Sequence, residues 1–193
     1  MSVAAWSHDS AALQGAVTRM RDSTRSVDSG AIRAAVRRAW VAQRGGLSVR
    51  PEWRDVADSY VLDRAVPLLA AAADSALIDL GGLFLWIGPA TKRPVGIANP
   101  GNALDPVAQV ELRSGAISTV SGRGEHRATT VLAGDAFTAS AWASVLFAFG
   151  CDQALAMAQR GEGRISVVCA DSAGVRWTTD LQNRVVLPAA RAP

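Results

Sequence analysis

The longest apolar stretch of the chain, Ala76 to Ile87, is broken by Asp79 and by Gly81-Gly82. It is too short and too interrupted to span a bilayer, which takes about 20 consecutive apolar residues. It reads as a strand, with Val95 to Ala98 as its hairpin partner. Val107 to Arg113 alternates apolar and polar residues, and Ala116 to Val120 continues after a Ser114-Gly115 turn. Ile165 to Ala170, a turn at Asp171 to Gly174, and Val175 to Thr179 read as a terminal hairpin. Between these groups lies Ala136 to Phe149, apolar and rich in small residues, with Asp135 as N-cap and Gly150 as stop. Asp152 to Gln159 adds a short helix. Helices on an antiparallel meander predict an α+β domain.

The N-terminal part has a different character. Residues 1 to about 50 read as helical and basic, with eight Arg between Arg19 and Arg50 against Asp22 and Asp28. Ala31 to Arg44 sets Ile32, Val36 and Ala39 on one stripe and Arg33 and Arg37 on another, an amphipathic helix closed by Gly45-Gly46. The Arg face reads as solvated. No aromatic interleaving supports nucleic-acid binding, so none is expected. Val61 to Ala73 gives a further helix, with Pro67 as a kink or break. The organisation is therefore a basic helical segment (1–50), an α+β domain (51–186) and a frayed tail (187–193).

With 193 residues, 49% hydrophobic and 19% charged, the chain can bury a sizeable core, and disorder as its main state is excluded. Of its 20 basic residues only Lys92 is a lysine, and the formal net charge is +3. Arginine grips carboxylates and phosphates well, so an anionic ligand has to be considered. Cys151 and Cys169 lie 18 apart with no CxxC spacing and no nearby His, which does not make a metal site. They are expected to be buried and reduced in a cytoplasmic protein, since the N-terminus lacks a signal-peptide pattern.

From Tyr60 to about Asp180 the chain resembles the FAD:protein FMN transferases of the ApbE type. The likeness is carried, in order, by Tyr60-Val61-Leu62-Asp63-Arg64-Ala65, by Ala76 to Gly82 with Val95-Gly96-Ile97 and Pro100, and by Ala116 to Gly122 with the helix Thr138 to Gly150. It implies the fold of that family and a cleft beside these elements.

It also implies FAD and Mg²⁺, and there this chain departs from the pattern. The family's glycine-rich loop with its lysine corresponds to Arg54 to Ser59, where Asp58 stands in place of the lysine and would repel a pyrophosphate. The family's His-x-x-Asp-Pro segment is missing from Arg123 to Gly134. The metal-holding Asp and Thr of the late helix correspond to Ser140 and Ser144, whose spacing is kept but whose carboxylate is not. No metal and no cofactor are therefore expected.

The candidate site follows from the same alignment of features. Ser140 and Ser144 are either pocket hydroxyls or back-bond within their helix. Gly81 and Gly82 either border a ligand or allow a close strand crossing. Asp79 in an apolar strand needs a partner or a raised pKa. Glu125 and His126 follow Ser121-Gly122; they either move protons or sit in a solvated loop. Two functions stay open: a cofactor-independent enzyme on a small molecule, of the kind found in specialised metabolism, using Glu125, His126 or Asp79; or a binding or scaffold protein that kept only the fold. FMN transfer retained in altered form is the remaining alternative. A shortened N-terminal half would leave part of the sheet uncovered, which predicts a homodimer, with Arg33 and Arg37 near the cleft mouth for an anionic substrate.

Overall fold

The computed structural model describes residues 2–7, 9–25, 29–43, 51, 53–89, 92–100, 105–122 and 126–188. In chain order these form β1 (Ser2–Trp6), α1 (Ser10–Arg25), α2 (Ser29–Gln43), α3 (Trp53–Ala70), β2 (Ser75–Asp79), β3 (Leu83–Ile87), β4 (Arg93–Ile97), β5 (Ala108–Leu112), β6 (Gly115–Gly122), β7 (Arg127–Ala133), α4 (Ala136–Phe149), α5 (Cys151–Gln159), β8 (Ser166–Asp171), β9 (Gly174–Trp177) and β10 (Val185–Val186). Seven strands pair in the order β1-β2-β3-β6-β7-β8-β9, all antiparallel, and β10-β5-β4 form a second, smaller sheet. The α+β class read from the sequence is the class observed.

Alternation along the central strands builds three layers, because successive side chains of a strand point to opposite faces. Ala116, Val131, Val167 and Cys169 face the helices, where they join Leu62, Phe137, Trp142 and Leu146. Their neighbours Ile117, Leu132 and Val168 face the small sheet and pack with Val95, Ile97, Val110 and Leu112. α4 lies between the large sheet and α3 and has ten buried residues, which is why its sequence is apolar on all sides. Among the described residues no helix is long and apolar enough to cross a membrane.

Several local expectations are corrected. Ala76 to Ile87 is not one strand but the hairpin β2–β3, turned at Gly81-Gly82 and closed by Leu80 N–H on Leu83 C=O at 2.9 Å. Val95 to Ile97 do not pair with it; they belong to β4 and pair with β5, Val95 opposite Val110. The N-terminus begins with a strand, β1, laid on the edge of β2 with Val3 opposite Ile78. Arg127 to Ala133, assigned no element from the sequence, is β7, held between β6 and β8. Its Thr129-Thr130-Val131 run is β-branched and fits a fully buried strand. α3 starts earlier than Val61 and runs through Pro67. Gly45-Gly46 and the end of the tail, 189–193, lie outside the described residues.

Two further corrections concern the core. Cys151 and Cys169 are both buried but form a disulfide, not free thiols. β8 returns beneath the start of α5 and brings the two Cα atoms to 5.5 Å, within the range a disulfide spans. The spacing of 18 in the sequence carries no sign of that approach. The large sheet is also not left bare, since helices cover one face and the small sheet the other. Among the described residues the large apolar side chains that stand exposed are Val41, Leu68, Val186 and Leu187, none of them on the large sheet.

Candidate functional site

The placement of α4 begins at its N-terminus, where the first backbone N–H groups lack partners within the helix. Asp135 caps it by accepting from Thr138 N–H at 2.7 Å and from the Thr138 hydroxyl at 2.8 Å. Asp63, on α3, accepts from Ala136 N–H at 2.9 Å and from Phe137 N–H at 2.7 Å. Two carboxylates thus serve one helix end, and the second ties α3 to α4. Burial pushes the Asp63 carboxyl up to about 6, against the lowering effect of the Phe137 and Ala136 N–H groups; the nearby charge of Asp135 pushes the same way as burial.

Between the two tied helices, β6 and the β2–β3 turn lies a cleft of about 440 Å³. α3 contributes Asp58 and Ser59, and α4 contributes Ser140 and Ser144, one helical turn apart. β6 adds Ser118, Thr119, Val120 and Ser121, and the turn adds Leu80, Gly81, Gly82 and the start of β3. The floor holds a pair of hydroxyls: Ser140 Oγ donates to Ser118 Oγ at 3.4 Å, and both residues are buried. Ser59, 1% exposed, donates to Val56 C=O at 2.8 Å. On the other face of the sheet, Thr119 Oγ1 and Thr130 Oγ1 share a hydrogen bond of 2.9 Å across β6 and β7. Asp58 stands exposed at the mouth and is the sole ionisable side chain among the described lining residues.

The structure therefore brings together Gly81, Gly82, Ser121, Ser140 and Ser144, five of the residues singled out from the sequence. Gly81 and Gly82 hold positive φ, 68° and 99°, as the turn demands, and Gly82 C=O accepts from Thr119 N–H at 2.9 Å. A Cβ on Gly82 would meet the carbonyl oxygen of Thr119 at 3.4 Å, so close strand approach and cleft wall are one feature here. Asp79 is outside the lining and caps the turn, accepting from Gly81 N–H at 2.7 Å. Gly122, at the end of β6, pairs with Arg127 away from the cleft. His126 is exposed at the β6–β7 connection with φ 44°, also outside the lining. Glu125 lies outside the described residues. Arg33 and Arg37 are exposed on α2 and line no part of the cleft.

Ser59, Ser118 and Thr119 were missed as lining residues. The signal for Ser118 was present: it shares its strand face with Ala116, which enters the helix-side core. A serine at an inward strand position is a polar group that needs a partner. The signal for Ser59 was its place in the Arg54 to Ser59 segment, which the resemblance sets at the ligand loop.

No family model matches the chain, and no curated protein matches it by sequence. Solved structures do match. The apo form of the flavinyl transferase ApbE of Pseudomonas stutzeri aligns over 69% of this chain and 50% of its own, with TM-score 0.52 and 19% identity. The flavin transferase ApbE of Vibrio cholerae aligns over 69% of this chain and 52% of its own, with TM-score 0.53 and 18% identity. The chain spans about half the length of these proteins and shares their fold.

Proposed function

We propose that this protein binds a small, uncharged, polar molecule in the hydroxyl-lined cleft, and that it does not carry out Mg²⁺-dependent FMN transfer. The observation that carries the reading is the lining itself. It offers the hydroxyls of Ser59, Ser118, Ser140 and Ser144 as donors and acceptors, with β6 backbone at Thr119 and Ser121, one carboxylate, Asp58, and no cation among the described residues. Such a set matches a polyol, sugar or amide, each group of which can exchange hydrogen bonds with a hydroxyl.

The same set does not fit Mg²⁺–FAD. A hard dication wants carboxylate oxygens, yet Ser140 and Ser144 are neutral and Ser140 Oγ is already directed at Ser118. A pyrophosphate wants cations or a run of backbone N–H groups, and Asp58 opposes it with negative charge. Proteins of this fold in Pseudomonas stutzeri and Vibrio cholerae are flavin transferases, so the reading predicts a change of ligand on a kept frame.

Thermal stability in the presence of a panel of polyols, sugars, nucleosides and amides tests it. A ligand at one hundred times its Kd should add about 2.7 kcal/mol. FAD with Mg²⁺ should add nothing, and a threonine-bearing acceptor should stay unflavinylated. A yellow protein or a flavinylated acceptor would overturn the reading. Asp58, the one acid of the described lining, favours catalysis as a second reading: turnover of a bound compound, lost in Asp58→Asn while binding persists, would make the cleft an active site.

A further inference from the structure

On another side of α3 lies a second cavity, of about 530 Å³, between α2 and α3. Its lining shares no residue with the hydroxyl cleft. Ala31, Ile32 and Ala35 of α2 and Val61, Ala65 and Leu68 of α3 make the body apolar. Leu68 is 37% exposed, an aliphatic side chain left facing the groove and solvent. The short side chains of Ala31 and Ala35 leave this space between the helices unfilled. The volume is that of a small-molecule site.

Two cations border this apolar body, Arg38 from α2 and Arg64 from α3. Both are exposed, and neither has an ion-pair partner among the described residues. Tyr60 adds a phenol to the lining, its ring held edge-on to Phe137 at 5.7 Å. An apolar trough bordered by two unmatched guanidiniums is complementary to one chemistry: an apolar body ending in an anion. Arginine favours a carboxylate because its planar donors meet both oxygens.

We infer that the α2–α3 groove binds a small carboxylic acid with an apolar body, held by Arg38 and Arg64 at its head and by the alanine-lined trough along its length. The site is independent of the hydroxyl cleft, and it assigns the anion-binding role to Arg38 and Arg64 in place of Arg33 and Arg37. Isothermal titration of the intact chain with decanoate and with 2-naphthoate, each below its aggregation limit, tests the inference. Decanol and decyltrimethylammonium serve as uncharged and cationic controls.

The carboxylates should bind and the controls should not. Arg38→Gln and Arg64→Gln should each weaken binding about tenfold, and raised salt should weaken it further. Ala35→Trp should fill the trough and abolish binding with the far-UV circular dichroism unchanged; should that variant unfold, Ala31→Leu at the same trough gives the second reading. Absence of binding by both acids, equal binding of decanol, or unchanged affinity in both arginine variants would overturn the inference. So would binding seen only with anionic phospholipid vesicles, which would make the groove a membrane contact.

Discussion

Asp63 Oδ2 accepts a hydrogen bond from Phe137 N–H at 2.7 Å, joining the middle of α3 to the first turn of α4 across 74 positions of sequence. The carboxylate does this while partly buried, and burial lifts its pKa from the ordinary 3.8 to about 6. The folded state thus holds the proton more tightly than the unfolded state. The group's stabilising contribution is fully present below about pH 4 and is lost as pH rises through about 6.

The first prediction follows from that sign. Asp63→Asn removes the titration but keeps one acceptor for the two N–H groups. Between pH 4 and pH 7 the difference in stability between variant and parent should move in the variant's favour by about 1–2 kcal/mol, after discounting for partial exposure. Thermal melts at half-unit pH steps measure it. A pH-independent difference would remove Asp63 as a titrating group.

The second prediction concerns the cleft floor. Ser140→Ala leaves Ser118 Oγ without its 3.4 Å donor and should cost about 1 kcal/mol of stability, read by urea denaturation. Ser144→Phe, from a half-buried position one turn further along, should block the cleft. Thermal stabilisation by any polar ligand found in the panel should then vanish while the fold persists.

The third prediction concerns charge at the mouth. Asp58→Lys changes the local charge by two units at the one ionisable position of the described cleft lining. Affinity for a pyrophosphate-bearing nucleotide should rise about tenfold at low ionic strength and fall back towards the parent value as salt is raised. An affinity unaltered at every salt concentration would show that this cleft does not receive the nucleotide.

The fourth prediction concerns Cys151 and Cys169. The purified, unreduced protein should show no thiol reactive in denaturant. Cys169→Ser should lower stability by about 2–4 kcal/mol in denaturant titrations, the usual worth of a disulfide closing a loop of this size. A bonded pair also removes the support that reduced thiols lent to a cytoplasmic location.

Much of the fold was legible where local chemistry decides it. Asp135 and Gly150 bound α4 as read, because a capping acid and a terminal glycine act within a few residues of themselves. The β8–β9 hairpin was legible for the same reason. Pairing between distant strands was not. Val95 and Phe84 are both strand formers in the sequence, and nothing local says that one joins the small sheet and the other the large. The cleft was half legible: the two serines of α4 and the double glycine come from the resemblance to the ApbE-type family, whereas Ser118 enters only once β6 is placed beside them. The disulfide and the α2–α3 groove are products of tertiary approach, and neither leaves a periodic trace.

The tie from Asp63 to α4 has a consequence for how such a fold can change its use. The groups that set the helices in place are Asp63, Asp135 and the Cys151–Cys169 bond, and none of them lines the cleft. The groups that would meet a ligand are short hydroxyl side chains hung on that frame. Recognition and architecture are thereby assigned to separate residues, so the inner wall can be rewritten position by position while the scaffold stands. A change among these side chains keeps the shape and alters only what that shape admits.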